Sequence, residues 1–146
     1  MFLAYVLAMI AAALPSTHPP TPTVTSLGVT RSATLGSHCW QNGDTGECAD
    51  APFIEPRHHL AWHAGRPIVV DLKLPARSLQ AQAMSVTKRG ARVRRLITVS
   101  AHRRGTAGRR WVVRLPSRAR ADNVLSLFGQ FTQGEVSASI GIREQR

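Results

Sequence analysis

The sequence predicts an all-β protein with an antiparallel sandwich fold, and three observations support this. From about Val24 onward, hydrophobic residues recur with a period of two. Turn-forming residues separate these alternating runs at intervals of roughly ten residues, as in sandwiches and unlike βαβ units. No apolar stripe with the period of a long helix is visible. The 146-residue chain fits one domain of about seven to nine strands and is too short for a barrel enzyme of roughly 250 residues.

The amino terminus has the composition of an export signal. Residues 2–14 form an uncharged, almost wholly apolar run, and Ala11–Ala13 offers the small residues of a cleavage site. No Lys or Arg precedes the run, which is unusual for a signal. We therefore predict a signal helix over residues 1–14, a Pro/Thr-rich spacer over 15–23 and a β-sandwich domain over 24–146. A retained anchor and a buried core helix are the alternatives for the first segment.

The predicted strands follow the alternation of apolar and polar residues. In residues 68–74, Ile68, Val70, Leu72 and Leu74 share one face between two prolines. In residues 110–115, the alternation turns Trp111 inward. The complete set of predicted strands is 24–30, 33–40, 47–49, 68–74, 83–87, 96–101, 110–115, 125–131 and 136–142, with a Gly-bearing hairpin loop at 132–135.

The two cysteines, Cys39 and Cys48, flank a dense group of turn-forming residues at 42–46. A strand–turn–strand arrangement would place them opposite each other, so we predict a disulfide in an oxidising compartment. Free thiols and a metal site that includes His38 are the alternatives. Structural zinc requires four ligands in paired short spacings, and the chain has no second cysteine pair.

The segments LGSHCW (35–40) and ECAD (47–50) resemble the "LGSYCW…CAD" signature of an uncharacterised group of exported bacterial proteins. The ending, with Gln133-Gly134 before a last alternating strand, is also similar, and the resemblance covers about residues 23–143. It implies an immunoglobulin-like sandwich and an extracytoplasmic location, but no activity. His38 stands where the group usually has an aromatic residue. The lipobox cysteine that the group often carries is absent, which leaves membrane tethering without support.

The chain carries 19 Lys and Arg residues against 8 Asp and Glu, a net charge of +11. Residues 72–121 contain no acid and hold 14 of the basic residues. These arginines could be ordinary solvated strand faces, or they could bind phosphate or carboxylate groups in bidentate fashion. On the second interpretation the partner is an anionic cell-envelope polymer or lipid head group. The candidate anion-binding residues are Arg94, Arg95, Arg103, Arg104, Arg109 and Arg110, the last four at the tip of a predicted hairpin.

Nucleic acid is a less suitable partner for this basic segment. Its single aromatic residue, Trp111, is predicted to be buried, so no stacking platform for single strands is available. No predicted helix suits a major groove either. Export also points away from genomic DNA.

The remaining candidate site is a histidine group, His58, His59 and His63. On a helix, His59 and His63 would share one face and could chelate a metal. On a strand they would lie about 13 Å apart. A small metal-binding or metal-dependent extracytoplasmic protein is therefore the alternative function. No catalytic motif or cofactor-binding motif is present, and no run reaches the roughly 20 apolar residues of a spanning helix. We expect a non-catalytic, secreted or envelope-associated protein without a cofactor.

Overall fold

The structure, a computed structural model, describes residues 18–51, 55–87 and 92–145. These residues form strands and one short 3-10 turn at Ser117–Ala121, with no α-helix in the described ranges. The all-β prediction is therefore confirmed. The predicted signal helix and the first part of the predicted spacer lie outside the described residues.

Twelve strands are described, which exceeds the predicted number. They are β1 (Thr23–Ser26), β2 (Val29–Ser32), β3 (Thr34–Asn42), β4 (Thr45–Ala49), β5 (His59–Trp62), β6 (Pro67–Asp71), β7 (Ala76–Val86), β8 (Val93–Val99), β9 (Ala101–Arg104), β10 (Arg110–Arg114), β11 (Val124–Phe131) and β12 (Gly134–Glu144).

The strands form two sheets in a sandwich-like arrangement. The smaller sheet has the order β2-β1-β6-β10-β9, and the larger has the order β4-β3-β12-β11-β7-β8. The described ladders are antiparallel except one, in which β5 pairs in parallel with the end of β12. β3 pairs with the first part of β12, from Gly134 to Ser139. β5 therefore extends the sheet along the edge of β12 that β3 leaves uncovered.

The core consists of the inward-facing residues of both sheets, as the alternation predicts. Trp62, Val70, Val113, Leu125 and Ile140 are fully buried. Each such side chain contributes about 1.5–3 kcal/mol relative to an exposed one. The opposite face of each strand carries mainly polar residues, for example Ser126 beside Ser139.

Several predicted strand boundaries are wrong, and turns explain two of them. Residues 24–30 form two strands rather than one, because Leu27 and Gly28 adopt positive φ angles of 49° and 78° and reverse the chain. The strand predicted over 68–74 ends at Asp71, since Lys73 has a φ of 68°. Leu72 is nevertheless buried, as its place in the alternation predicts.

The strand predicted over 96–101 is divided between the two sheets. β8 ends at Val99 in the larger sheet, and β9 begins at Ala101 in the smaller sheet. Ser100 is the single residue between them. The strand predicted at 83–87 is the end of the longer β7. β5 lies in the histidine segment, for which the sequence leaves a helix, a loop and an edge strand open.

Candidate basic side of the sandwich

The acid-free segment 72–121 folds into one side of the sandwich. Its strands β7 and β8 form an edge of the larger sheet, and β10 and β9 form an edge of the smaller sheet. Because only Ser100 separates β8 from β9, these two edges must lie side by side. Every described Lys and Arg of the segment is exposed. We call the following residues the basic side: Lys73, Arg77, Arg92, Arg94, Arg95, Arg103, Arg104, Arg109, Arg110, Arg114, Arg118 and Arg120.

The six predicted anion-binding arginines lie on this side but in two groups. The first group is Arg94 and Arg95 on β8, and the second is the four arginines of the β9–β10 hairpin. Arg95 is the ladder partner of Ser85, near the end of β7. Arg103 reaches the carbonyl oxygens of Ala76 and Arg77, at the start of β7. Ala76 and Ser85 are nine residue steps apart on the single strand β7, which is about 30 Å of extended chain. The structure therefore does not unite the six residues into one site.

In the first group, Arg95 forms an ion pair with a buried acid. Its Nε and Nη2 atoms donate to Asp122 Oδ1 at 3.1 and 2.9 Å, and the Asp122 side chain is fully buried. Removing the guanidinium would leave a buried carboxylate without its partner. Arg95 thus supports the fold, whereas its neighbour Arg94 makes no ion pair within the described ranges.

In the second group, Arg103 joins the two sheets. Its guanidinium lies over the indole of Trp111, and its Nη2 atom approaches the carbonyls of Ala76 and Arg77 at 3.4 and 3.3 Å. The predicted burial of Trp111 is confirmed, since the residue is 7% exposed. The Trp111 Nε1–H donates to the Gly108 carbonyl at 3.0 Å.

The predicted hairpin with arginines at its tip is confirmed. Arg104 is the direct partner of Arg110 in the β9–β10 ladder. On the other side of β10, Asp71 is the partner of Arg110, and its Oδ2 lies 3.8 Å from Arg110 Nε. Among the described residues, neither Arg104 nor Arg109 has an ion-pair partner. These two exposed guanidiniums remain available to an external anion.

Four acidic residues lie at the opposite edge of the larger sheet, the far edge formed by β3 and β4, which we call the acidic edge. Asp44, Glu47 and Asp50 lie on the β3–β4 hairpin or directly beside it, and Glu135 lies on β12 next to β3. The acids that contact the basic side are each paired, Asp122 with Arg95, Asp71 with Lys73 and Arg110, and Glu144 with Arg120. The charges of the domain are therefore segregated across its width.

The predicted disulfide between Cys39 and Cys48 is confirmed, with a Cα–Cα distance of 4.1 Å. The two cysteines are direct partners in the β3–β4 ladder, so the bond ties the edge hairpin of the larger sheet. Because each sulfur is bonded to the other, the metal and free-thiol alternatives for these residues do not apply. A disulfide is compatible with an extracellular location.

A histidine–carboxylate group at the acidic edge was not anticipated. Glu47 accepts from His18 Nδ1 at 2.9 Å and from His38 Nε2 at 3.1 Å. Partial burial acts to raise the pKa of Glu47. The hydrogen bonds from His38 and His18 and their positive charge outweigh this effect, so the pKa lies below its ordinary value. The group links the start of the described chain to the β3–β4 hairpin.

The histidines proposed as metal ligands are not arranged as a chelate. His59 opens the extended strand β5, and His63 follows its last residue. The His59 ring packs where a side chain at Gly141 would lie, which ties it to β12. Within residues 18–51, 55–87 and 92–145, no group of three His, Cys, Asp or Glu residues could hold a metal ion.

No protein family, curated protein or solved structure matches this chain. In the described part of the chain, no helix is long and apolar enough to cross a membrane. The physical arrangement of the residues is therefore the basis for any functional conclusion.

Proposed function

We propose that the chain is an exported, non-catalytic β-sandwich protein that binds an anionic cell-envelope polymer or lipid surface through its basic side. The observation that carries the proposal is the segregation of charge. An acid-free segment of 50 residues supplies adjoining edges of both sheets, while Asp44, Glu47, Asp50 and Glu135 lie at the far edge of the larger sheet. An immunoglobulin-like class and a bacterial envelope location belong to the same proposal, and the LGSHCW and ECAD signature supports both.

The electrostatic argument rests on distance and screening. Ionic screening acts over about 8 Å at physiological ionic strength, so acids at the far edge of the sheet cannot neutralise Arg104 or Arg109. The net charge of +11 adds a long-range attraction that steers the domain towards polyanions. The local excess at the basic side determines which surface makes contact.

Not every arginine on this side contributes equally to binding. Arg95 and Arg103 are held by Asp122 and by Trp111. Arg104 and Arg109 have no such contacts within the described ranges, so they can move onto an anion without breaking an internal interaction. Arg94 has the same freedom at the other end of β8.

Co-sedimentation with vesicles tests the proposal. The wild-type protein should bind vesicles that contain phosphatidylglycerol, and it should not bind vesicles of phosphatidylcholine alone. Each basic residue near an anionic surface contributes about 1 kcal/mol. The double variant Arg104→Ser/Arg109→Ser should therefore bind about 30-fold more weakly, and moderate salt should abolish wild-type binding.

The matched control is Arg31→Ser/Arg57→Ser, which removes the same charge from β2, the edge of the smaller sheet opposite β9, and from the segment before β5. We expect this variant to bind within about threefold of the wild type, because its substitutions lie away from the contact. Equal losses in the two double variants would show that the basic side is not the contact surface. Failure of the wild type to bind at low salt would reject anionic binding altogether.

A further inference from the structure

The outer face of the smaller sheet carries a row of charged residues across neighbouring strands. Ladder partners place Arg104 of β9, Arg110 of β10 and Asp71 of β6 side by side. Directly opposite residues in antiparallel strands have Cβ atoms about 4.5–5.5 Å apart. The two guanidiniums therefore occupy adjacent positions on the same face.

This pair of like charges is only partly compensated. Opposed like charges destabilise an antiparallel pair, and Asp71 contacts Arg110 only at 3.8 Å. The Asp71 carboxylate is also shared, since Oδ1 accepts from the backbone N–H of Lys73 at 2.8 Å and Oδ2 lies 3.9 Å from its Nζ. Neither guanidinium makes a hydrogen bond to a described residue. Both guanidinium groups can therefore donate hydrogen bonds to a ligand outside the sheet.

The backbone beneath the pair is held firmly. β10 lies between β6 and β9, and the residue after Arg110 is the buried Trp111, whose indole N–H is bonded to Gly108. Arg103, next to Arg104, is bound over that indole. Fixed backbone positions reduce the entropy lost when a ligand orders the two side chains.

We infer that Arg104 and Arg110 form a binding site for a phosphate monoester group. This inference rests on the proposed function and specifies the anion that it requires. A monoester carries a charge of about −1.5 to −2 and three acceptor oxygens. It can therefore accept bidentate hydrogen bonds from two guanidiniums at once, whereas one carboxylate has two oxygens and a single charge.

Asp71 sets the limit of this site. Its carboxylate repels an anion that approaches from the β6 side, and it competes for Arg110. The phosphate therefore sits towards β9, the edge strand of this sheet. Arg109 lies next to Arg110 at this edge and can contact the rest of a larger ligand.

The experiment is a titration with inorganic phosphate at pH 7 and constant ionic strength, observed by NMR at the arginine side-chain Nε–Hε groups. Saturable shifts at Arg104 and Arg110 are expected, and acetate at the same ionic strength should produce much smaller ones. Arg104→Lys keeps the charge but loses the planar guanidinium that donates two parallel hydrogen bonds, so it should bind phosphate about tenfold more weakly. Asp71→Asn should bind about threefold more tightly, and the distant control Asp44→Asn should equal the wild type.

Vesicles containing phosphatidic acid, whose head group is a phosphate monoester, and a soluble polysaccharide that carries phosphate monoesters then distinguish a lipid source of the phosphate from a polymeric one. Unsaturable shifts, or an Arg104→Lys variant that equals the wild type, would overturn the phosphate site. If such a result accompanied intact vesicle binding by the wild type, the proposed function would stand without this site. If the wild-type protein also failed to bind the vesicles, both the phosphate site and the proposed function would be rejected.

Discussion

The guanidinium carbon of Arg103 lies 5.4 Å from the ring centroid of Trp111, its direct partner in the β9–β10 ladder. This places an arginine on the inner side of the smaller sheet, at the edge where the two sheets separate. Its long aliphatic stem and flat charged head cover an aromatic residue while the charge remains near water. The basic segment therefore contributes to the stability of the sandwich as well as to its surface charge.

We predict that Arg103→Ser lowers the free energy of unfolding by about 1–2 kcal/mol. A cation–π contact at an exposed site is worth about 0.5–1 kcal/mol, and the packing of the stem and the contacts with the Ala76 and Arg77 carbonyls add to it. Urea denaturation measures the change. The free energy of unfolding of Arg103→Lys should lie between those of the wild type and Arg103→Ser, because an ammonium keeps the charge but not the planar stacking.

Arg104→Ser is the matched control for this prediction, since it removes the same charge from the adjacent residue. It should change stability by less than about 0.5 kcal/mol or increase it slightly, because Arg104 opposes Arg110. Equal destabilisation by both substitutions would indicate a general charge effect and contradict a specific role for Arg103.

A second prediction concerns the disulfide. Cys39→Ser/Cys48→Ser should lower the free energy of unfolding by about 2–3 kcal/mol, the loop-closure value for a bridge that closes about ten residues. Because the bond ties an edge hairpin, hydrogen exchange should increase most in β3 and β4. The opposite result, loss of protection spread evenly over both sheets, would show that the bond stabilises the whole domain cooperatively.

Much of the fold could be predicted because local patterns determine it. The alternation in residues 110–115 predicts that Trp111 and Val113 face the core, and both are buried. The turn residues between Cys39 and Cys48 predict the hairpin that brings the sulfurs together. The switch of sheets at Ser100 was not predictable in this way, because the alternation of apolar residues is the same in either sheet.

The candidate site was predictable only in part. The acid-free segment is visible in the sequence, and its folding into one side of the sandwich follows from its continuity along the chain. The pairing of Arg95 with Asp122 is different, since 27 residues separate them. No local signal distinguishes Arg95, which is bound internally, from Arg94, which is available to a ligand. Likewise, the separation of 29 residues between His18 and Glu47 conceals their contact.

A third prediction tests a close approach between strands. Gly134 opens β12 with a φ of 149°, and a Cβ atom there would collide with the carbonyl of Cys39. Gly134→Ala should therefore destabilise the protein by about 1–3 kcal/mol. Gly46→Ala is the control, because its added Cβ would make only ordinary contacts, the nearest at 3.5 Å from the Trp40 carbonyl. Thermal denaturation compares them, and equal effects would refute the role of the close approach.

A fourth prediction concerns acid stability and the carboxylate of Glu47. Partial burial alone would raise its pKa, but donation from His38 and His18 lowers it below the ordinary value of 4.5. A group with a lowered pKa in the folded state stabilises the protein above its unfolded-state pKa. That contribution is lost as the pH falls below 4.5 and through the lower folded-state pKa.

The Glu47 side-chain carboxyl carbon, followed by NMR against pH, should titrate with a midpoint below 4.5 in the wild type. In His18→Ala/His38→Gln the midpoint should rise, because burial then acts without the opposing donors. Urea denaturation at about pH 5 and about pH 3 should show a larger loss of stability for the wild type than for Glu47→Gln. A midpoint that does not move in the histidine variant would show that the two imidazoles do not control this carboxylate.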